Sequence, residues 1–153
     1  MKNKVIIFSQ FSSMCKILEK ELAHYNPLLI IGETPSQERQ RIVNLFNKDN
    51  DYLILIGTEA IGLGLNLQVA SYVVNYDLPW SAAKYEQRIG RSHRIGQDKP
   101  VTVYNLIARK TIDEYCLKVL KKKYSISNDV LFDDDRLEKA GLTEEDIKII
   151  LNL

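Results

Sequence analysis

The sequence has few of the residues that metal sites require. Its 153 residues include two cysteines, Cys15 and Cys116, and two histidines, His24 and His93. These four residues cannot be placed at the spacing that is typical of a zinc site. Because both cysteines fall at apolar positions of predicted helices, we expect both to be reduced and buried in the core.

Long apolar runs and a signal-peptide pattern are also absent. No apolar run approaches the roughly 18 residues that a membrane-spanning helix needs. Residues 1–4 lead directly into a short apolar run and do not form a signal-peptide pattern. We therefore expect a soluble intracellular protein with no membrane partner, in the cytoplasm or nucleoid of a prokaryotic or viral system or in a eukaryotic nucleus.

Neither sign of charge predominates overall, but the charges are segregated. Lysine and arginine number 21 against 20 aspartates and glutamates, for a formal net charge of +1. Residues 1–83 carry 7 basic and 8 acidic side chains, residues 84–123 carry 11 and 4, and residues 124–153 carry 3 and 8. The total thus conceals a basic segment followed by an acidic tail, and the basic segment is a candidate for phosphate contacts.

Short apolar runs of strand length alternate with segments of helical period. Two apolar stripes predict helices, one over residues 14–22 and one over residues 42–46. This alternation is typical of an α/β fold in which helices flank a parallel sheet. The predicted strands are Val5–Phe8, Leu28–Ile31, Leu53–Ile56, Tyr72–Asn75 and Val101–Ile107.

Two capping boxes predict where helices begin. Thr34 is followed by Pro35 and, three residues on from the threonine, by Gln37. Thr111 and Glu114 repeat the pattern later in the chain. In such a box the threonine hydroxyl and the later side chain each satisfy a backbone N–H at the helix start.

The sequence changes character after Lys123. Residues 125–135 have no clear period and end in three aspartates, whereas residues 143–151 have the pattern of a short amphipathic helix. A chain of this length supports one domain. We therefore predict a lobe over residues 1–124 and a helical C-terminal extension of the same domain over residues 125–153.

The segment QRIGRSHRIGQ, residues 87–97, is dense in arginine. On a helix, offsets of four and three place Gln87, Arg91 and Arg94 on one face and turn Arg88 away. Two guanidinium groups one turn apart suit phosphate oxygens or the charge on a transferred phosphoryl group. A solvated basic face is the alternative, and Gly90 argues against it because an internal glycine usually marks close backbone approach or a helix end.

The segment TEAIGLGLNL, residues 58–67, is a glycine-rich turn directly after a predicted strand. In an open parallel sheet, ligands bind beyond the carboxyl ends of the strands, so backbone N–H groups here could approach a phosphate or a sugar. Ordinary turn chemistry explains the glycines equally well. The segment matches neither the dinucleotide fingerprint nor a phosphate-binding loop.

Taken together, these segments resemble the C-terminal RecA-like lobe of a Swi/Snf-type, superfamily-two DNA translocase. The resemblance covers about residues 4–125 and implies a RecA-like parallel sheet. KVIIFSQF at 4–11 resembles motif IV, the spaced Gly32, Arg39 and Phe46 resemble the pattern that follows it, and DLPW at 77–80 resembles the lead-in to the last motif. TEAIGLGLNL resembles motif V and QRIGRSHRIGQ resembles motif VI.

The resemblance implies three groups of site residues. Arg91 and Arg94 match the arginine fingers that reach the ATP phosphates held by a partner lobe, and Gln87 matches a residue that links motif VI to the nucleotide. Gly62, Gly64 and Asn66 match the motif V turn near the nucleotide. The positions that match contacts with the DNA sugar-phosphate backbone are Ser9, Gln10, Arg39 and Thr58.

Half of the nucleotide site of such an enzyme is missing from the sequence. None of the seven glycines is followed by lysine, so there is no Walker A loop. The only Asp-Glu pair, Asp113-Glu114, opens a helix instead of ending a strand and is a poor Walker B candidate. ATP with Mg²⁺ would therefore be shared with an N-terminal ATPase lobe, in cis or in trans, and this chain by itself is predicted to be inactive.

We therefore expect the second motor lobe of an ATP-dependent translocase on double-stranded DNA. One alternative is a non-catalytic module that binds nucleic acid through its basic segment. The other is a lobe of a strand-separating DNA or RNA helicase.

Overall fold

The computed structural model describes residues 3–62, 66–90 and 100–129. Five strands are present in these ranges: β1 (Lys4–Phe8), β2 (Leu28–Ile30), β3 (Ile54–Gly57), β4 (Ala70–Asn75) and β5 (Thr102–Asn105). The helices are α1 (Ser12–Glu21), α2 (Ser36–Lys48), α3 (Ala82–Gly90) and α4 (Ile112–Asp129), with short 3₁₀ turns at Ala23–Tyr25 and Glu59–Gly62. The predicted α/β class and the five predicted strands are confirmed, although β5 is shorter than predicted.

The strands form one parallel sheet in the order β2-β3-β1-β4-β5. β1 lies at the centre, where Phe8 pairs with Gly57 of β3 on one side and with Asn75 of β4 on the other. Because all five strands run in the same direction, the residues that follow their carboxyl ends gather along one edge of the sheet. This edge carries the candidate functional site.

Helices cover both faces of the sheet, as a parallel sheet requires. On one face, Ile6 and Phe8 of β1 pack in a cluster with Ile42, Val43 and Phe46 of α2. Side chains alternate along a strand, so the neighbouring Ile7 belongs to the other face, where Cys15 of α1 packs on Ile56. Sheet and helices are thus held by two apolar layers.

The stripe predicted for α1 needs one correction. The stripe predicted over residues 14–22 consists of Met14, Ile17, Leu18 and Leu22, but the side chain of Ile17 is 52% exposed. Cys15, Leu18 and Leu22 face the sheet instead. Residues 14 to 18 offer two possible apolar stripes, and packing against the sheet selects the one that contains Cys15.

The first predicted capping box is wrong. Helix α2 begins at Ser36, with Pro35 at the N-cap position and no side-chain cap. The Thr34 hydroxyl accepts a hydrogen bond from the Ile31 N–H at 3.0 Å, while the Thr34 N–H donates to the Ile31 carbonyl at 3.0 Å. Thr34 therefore closes the turn between β2 and α2, because the helix begins one residue later than the box assumed.

The second predicted capping box is present, but Asp113 replaces Glu114 as the side chain that reaches back. Thr111 precedes α4 and its hydroxyl accepts the N–H of Asp113 at 3.2 Å, so the predicted cap is confirmed. Asp113, and not Glu114, reaches back, since its carboxylate accepts the Ala108 N–H at 3.0 Å. The shorter aspartate suits this turn, in which Lys110 has a positive φ of 60°.

Lys4 is a buried lysine that the sequence pattern did not single out. Its ammonium group donates to the carbonyl of Phe46 and, at 2.7 Å, to the carbonyl of Asp49, both at the C-terminal end of α2. These carbonyls lack partners within the helix, so the lysine caps it from the neighbouring strand. Burial lowers the pKa of Lys4 below its ordinary value of 10.5, and the charge of Asp49 acts in the opposite sense.

The chain divides into two compact units, residues 1–77 with 87–106 and residues 78–86 with 107–153. The first unit contains the sheet, and the second has its own apolar cluster around Leu78, Cys116 and Leu120. Helix α4 continues to Asp129, so residue 125, where the extension was predicted to begin, lies within a helix. The helix predicted over residues 143–151 lies outside the described residues, and the boundary at residue 124 stays a prediction.

No helix among the described residues is long and apolar enough to span a membrane. Cys15 and Cys116 are both free and buried, which confirms the prediction made for them. Burial raises the pKa of the Cys15 thiol from 9.0 to about 11, and the nearby carboxylate of Asp77 acts in the same sense.

The Cys15 thiol predicts a loss of stability at alkaline pH. Below pH 9.0 both the folded and the unfolded chain keep the proton; between pH 9.0 and about 11 only the folded chain does, so the free energy of unfolding falls as pH rises. The expected loss approaches about 2.7 kcal/mol, at about 1.36 kcal/mol per pH unit. Urea unfolding of the unaltered chain and of Cys15→Ala, from about pH 8 to about pH 11, measures this loss of stability. Equal pH slopes of the unfolding free energy for the two proteins would contradict the prediction.

Candidate functional site

The carboxyl edge of the sheet brings together segments that are distant in sequence. Ser9 and Gln10 follow β1, Glu59 follows β3 and Asp77 follows β4. The backbone continues to pair at this edge, because the Ser9 N–H donates to the Gly57 carbonyl at 3.1 Å. Three of the five segments that carry the family resemblance thus meet here.

Gly57 is the position at this edge where glycine is required. A Cβ built on it would lie 2.0 Å from the carbonyl oxygen of Ile30 on the adjacent strand. No real contact is that short, so any side chain would force β2 and β3 apart. The glycine permits the turn into Thr58 and Glu59.

A buried arginine occupies the centre of the edge. Arg88 of α3 is 2% exposed and is among the largest fully buried side chains in the described residues. Its Nε and Nη2 donate to Glu59 Oε1 at 3.1 and 2.6 Å. Its Nη1 donates to Asn75 Oδ1 at 3.1 Å and to the Asp77 carbonyl at 2.8 Å. We call Arg88, Glu59, Asn75 and Asp77 the Arg88 cluster.

The Arg88 cluster compensates the burial of a permanent positive charge. The guanidinium forms ion pairs with Glu59 at 2.6 Å and, at 3.8 Å, with the carboxylate of Asp77. It also lies over the ring of Phe8, 5.4 Å from the centroid. A buried charge is tolerated only with such partners, and removing one of them is costly because the remaining charge stays buried.

Asp77 extends the cluster to the turn after β1. Its carboxylate accepts hydrogen bonds from the Ser9 hydroxyl and, at 2.8 Å, from the Gln10 N–H. The Ser9 oxygen in turn accepts the Phe11 N–H at 3.2 Å. One carboxylate therefore sets the conformation of the segment that leads into α1.

Asn75 extends the cluster to the last strand. Its side chain is fully buried, and its Nδ2 donates to Asn105 Oδ1 at 2.8 Å. The two asparagines are register partners on β4 and β5. Polar side chains at the strand ends thus link β1, β3, β4 and β5 through hydrogen bonds to one guanidinium or to its partners.

The predicted DNA-contacting residues lie at this edge or near it, but their side chains have internal roles. Ser9 is fully buried against Asp77, and Thr58 is 8% exposed. The Thr58 hydroxyl accepts the Ala60 N–H at 3.3 Å, and the Thr58 N–H donates to the Ile30 carbonyl at 3.2 Å. Their role as DNA contacts stays a prediction.

Arg39 has an internal role too. Its Nε donates to the Thr34 carbonyl at 2.7 Å and its Nη2 donates to the Gly32 carbonyl at 2.9 Å. These bonds hold the turn between β2 and α2 against the helix.

The predicted nucleotide residues are described only in part. Gln87 is exposed on α3, beside the buried Arg88. Asn66 is exposed, and its Oδ1 accepts the Gln68 N–H at 3.2 Å. Gly62 ends the 3₁₀ turn that begins at Glu59. Gly64, Arg91 and Arg94 lie outside the described residues, so their roles stay predictions.

Gly90 does not mark close approach to another group. Among the described residues, no heavy atom would lie within 4 Å of a Cβ at this position, apart from chain neighbours and the helix backbone. In residues 3–62, 66–90 and 100–129, no group of three or more His, Cys, Asp and Glu side chains could hold a metal ion.

Sequence analysis missed the Arg88 cluster. It placed Arg88 on the face away from the predicted phosphate-binding residues and gave it no role. A signal was available, because Asn75 and Asp77 end an apolar strand that a parallel sheet buries, and a buried polar group requires a partner. Which arginine supplies that partner depends on how α3 meets the sheet.

Comparison with known proteins identifies the family. Residues 1–96 match the family described as the helicase conserved C-terminal domain. The chain belongs to this family. The resemblance to Swi/Snf-type enzymes drawn from the motifs is also confirmed by the relatives of this helicase lobe.

The relatives of this helicase lobe include proteins of much greater length. The chain is 36% identical over 152 residues to the SWI/SNF-related matrix-associated actin-dependent regulator of chromatin subfamily A containing DEAD/H box 1 of Mus musculus. This match covers 97% of the chain and 15% of the mouse protein. The chain is 46% identical over 101 residues to the uncharacterized ATP-dependent helicase YqhH of Bacillus subtilis (strain 168), over 64% of this chain and 18% of that protein. This chain thus spans less than a fifth of the length of these relatives.

A solved structure has the same fold. The crystal structure of the C-terminal part of the Fun30 ATPase domain superposes with a TM-score of 0.74 at 30% identity, over 90% of this chain and 45% of that chain. The RecA-like architecture predicted for the helicase lobe is thereby confirmed.

Removal of the Ser9 hydroxyl should weaken the edge of the sheet. Ser9→Ala removes a hydrogen bond to a carboxylate and leaves the Phe11 N–H without its partner oxygen. The expected loss of unfolding free energy is about 2 kcal/mol, measured by urea unfolding. Ser13→Ala, an exposed serine on α1, is the matched control and should change stability by less than about 0.5 kcal/mol. Equal effects for the two variants would contradict the assigned role.

Proposed function

We propose that this chain is the second motor lobe of an ATP-dependent translocase on double-stranded DNA. One observation carries the proposal: the segments resembling motifs IV and V and the described start of the segment resembling motif VI, residues 87–90, meet at the carboxyl edge of one parallel sheet, joined by the Arg88 cluster. Ligands bind at such edges in open α/β sheets. Membership of the helicase C-terminal domain family supports the same function.

On the nucleotide side, the lobe supplies hydrogen-bond donors. Gln87 is exposed and carries an amide, and Arg91 and Arg94 carry guanidinium groups whose planar donor forks match phosphate oxygens. Aimed at a transferring phosphoryl group, such donors stabilise the charge of the transition state. Gly62, Gly64 and Asn66 are the motif V positions assigned to the neighbourhood of the nucleotide.

ATP with Mg²⁺ supplies the phosphoanhydride bond whose hydrolysis drives the motor. The donor set Gln87, Arg91 and Arg94 fits its phosphate oxygens, but the sequence has no Walker A loop to hold the phosphates. A Walker-containing N-terminal lobe therefore completes the site, in the same polypeptide or in another.

On the DNA side, the turns after β1 and β3 approach the sugar-phosphate backbone. Ser9, Gln10 and Thr58 lie on these turns, and Arg39 lies on α2 and binds the turn after β2. Contacts to the backbone position the lobe on the duplex and carry no direct base readout. The basic segment from residue 84 to residue 123 adds charge that favours a polyanion.

Replacement of either predicted finger should stop the motor and leave DNA binding intact. In the full enzyme, Arg91→Ala and Arg94→Ala should each lower DNA-stimulated ATP hydrolysis by about 10³-fold or more, because an arginine finger contributes that much to kcat. The measurement is steady-state hydrolysis beside DNA affinity at one salt concentration. The chain by itself should hydrolyse no ATP.

Arg41→Ala is the matched control for the finger variants. Arg41 is an exposed arginine on α2 that pairs with Glu38 at 2.7 Å, three residues earlier on the same helix. Its removal should leave hydrolysis unchanged. If Arg91→Ala and Arg94→Ala also turn over at the rate of the unaltered enzyme, the finger assignment is wrong.

A translocation assay separates the proposed motor from a strand-separating helicase. The full enzyme should displace a bound triplex strand or protein block along duplex DNA, with hydrolysis stimulated by duplex DNA more than by RNA. Unwinding of a forked duplex without movement along an intact one would favour the strand-separating alternative. Nucleic-acid binding without stimulated hydrolysis would favour a non-catalytic module.

A further inference from the structure

We propose that Arg88 is a positioning residue: it fixes the predicted DNA-contacting turns to the helix that precedes the predicted arginine fingers, so that ATP hydrolysis responds to DNA. This inference rests on the proposed function and deepens it. It assigns a role to a residue that the motif comparison left without one.

Arg88 is placed to connect several elements and to touch no ligand. It is 2% exposed, so neither nucleotide nor DNA can reach the guanidinium. Its donors bind the end of β3 through Glu59 and the end of β4 through Asn75 and Asp77. A side chain in this position acts only through the groups that it holds.

The groups that Arg88 holds are neighbours of the predicted DNA contacts. Glu59 follows Thr58 directly in the chain. Asp77, whose carbonyl accepts from Arg88 at 2.8 Å, binds the Ser9 hydroxyl and the Gln10 N–H through its carboxylate. A displacement of either turn by a phosphate group therefore changes the geometry around the guanidinium.

The same arginine belongs to α3, the helix that carries Gln87, one of the predicted nucleotide residues. Arg88 lies one residue after Gln87 and three residues before Arg91 in the sequence. Because Arg88 is anchored at several points, the axial rotation of α3 at Gln87 is set by these bonds. The cluster thus joins the DNA side and the nucleotide side of the lobe through one rigid group.

The role requires the planar fork of arginine. Three nitrogens of Arg88 donate at once, in fixed directions, to Glu59, Asn75 and Asp77. Lysine keeps the charge but concentrates its donors at one atom and cannot satisfy this geometry. Arg88→Lys is therefore the informative variant, since it keeps the charge and removes the fork.

The test uses the full enzyme with Arg88→Lys, with Arg41→Lys as the matched surface control. Per folded molecule, DNA-stimulated kcat should fall about 10- to 100-fold, as expected when reacting groups are misplaced. The DNA concentration for half-maximal stimulation should rise with it, while the KM for ATP changes little. A merely structural role would lower the folded fraction but leave the kcat and the half-maximal DNA concentration of the folded enzyme unchanged.

A readout on this chain by itself avoids dependence on activity. The Gln10 amide is held by Asp77, so its hydrogen exchange should be faster in Arg88→Lys than in the unaltered chain or in Arg41→Lys. If Arg88→Lys does not fold, Glu59→Gln takes its place. It removes the charge that binds Arg88 Nε and Nη2, leaves the bond between Asp77 and the Gln10 N–H, and should show the same loss of kcat and the same faster exchange.

The outcomes distinguish this inference from the proposed function. If the unaltered full enzyme shows no DNA-stimulated hydrolysis, the proposed function fails. If it does and Arg91→Ala abolishes it, but folded Arg88→Lys or Glu59→Gln keeps the kcat, DNA half-saturation and Gln10 exchange of the unaltered protein, the positioning role of Arg88 is overturned and the motor function stands.

Discussion

The lobe depends on the compensation of one buried guanidinium. Water cannot reach Arg88, so its donors must find acceptors within the protein or the fold is destabilised by several kcal/mol. The acceptors come from strand ends that lie 13 and 29 residues away in sequence. Correct pairing of β1, β3 and β4 is therefore a condition for burying the arginine, and the buried arginine in turn opposes any other register.

This constraint explains why the polar residues of the edge have internal partners. Parallel strands bring their carbonyl ends and following turns to one side, which suits a ligand site but leaves many polar groups in a crowded space. Asp77 and Asn75 form internal hydrogen bonds with several of those groups. Two other contacts hold turns beside the candidate site. Gly57 packs closely against the Ile30 carbonyl, and Arg39 donates hydrogen bonds to the turn after β2.

Much of the fold could be predicted because apolar period and strand length are local properties. The five strands, the positions of α1 and α2 and the burial of both cysteines follow from spacing alone. The predictions were wrong in detail where the local sequence allowed two different arrangements. Ile17 and Cys15 compete for the core face of α1, and Thr34 could cap a helix or close a turn; the geometry of the sheet decides each case. The motifs also predicted that the site lies at this edge. They gave roles to Arg91 and Arg94, which match the arginine fingers of the family, and no role to Arg88.

The sequence by itself determined the class of fold, the order of its elements and the family, because hydrophobic period and motif spacing are written along the chain. Only the tertiary structure decided which polar side chains meet. Arg88, Glu59 and Asp77 are far apart in sequence, and no periodicity relates them. Their contact exists because parallel pairing aligns the strand ends and α3 presents one arginine to them, and the free energy of a buried charge makes that arrangement specific.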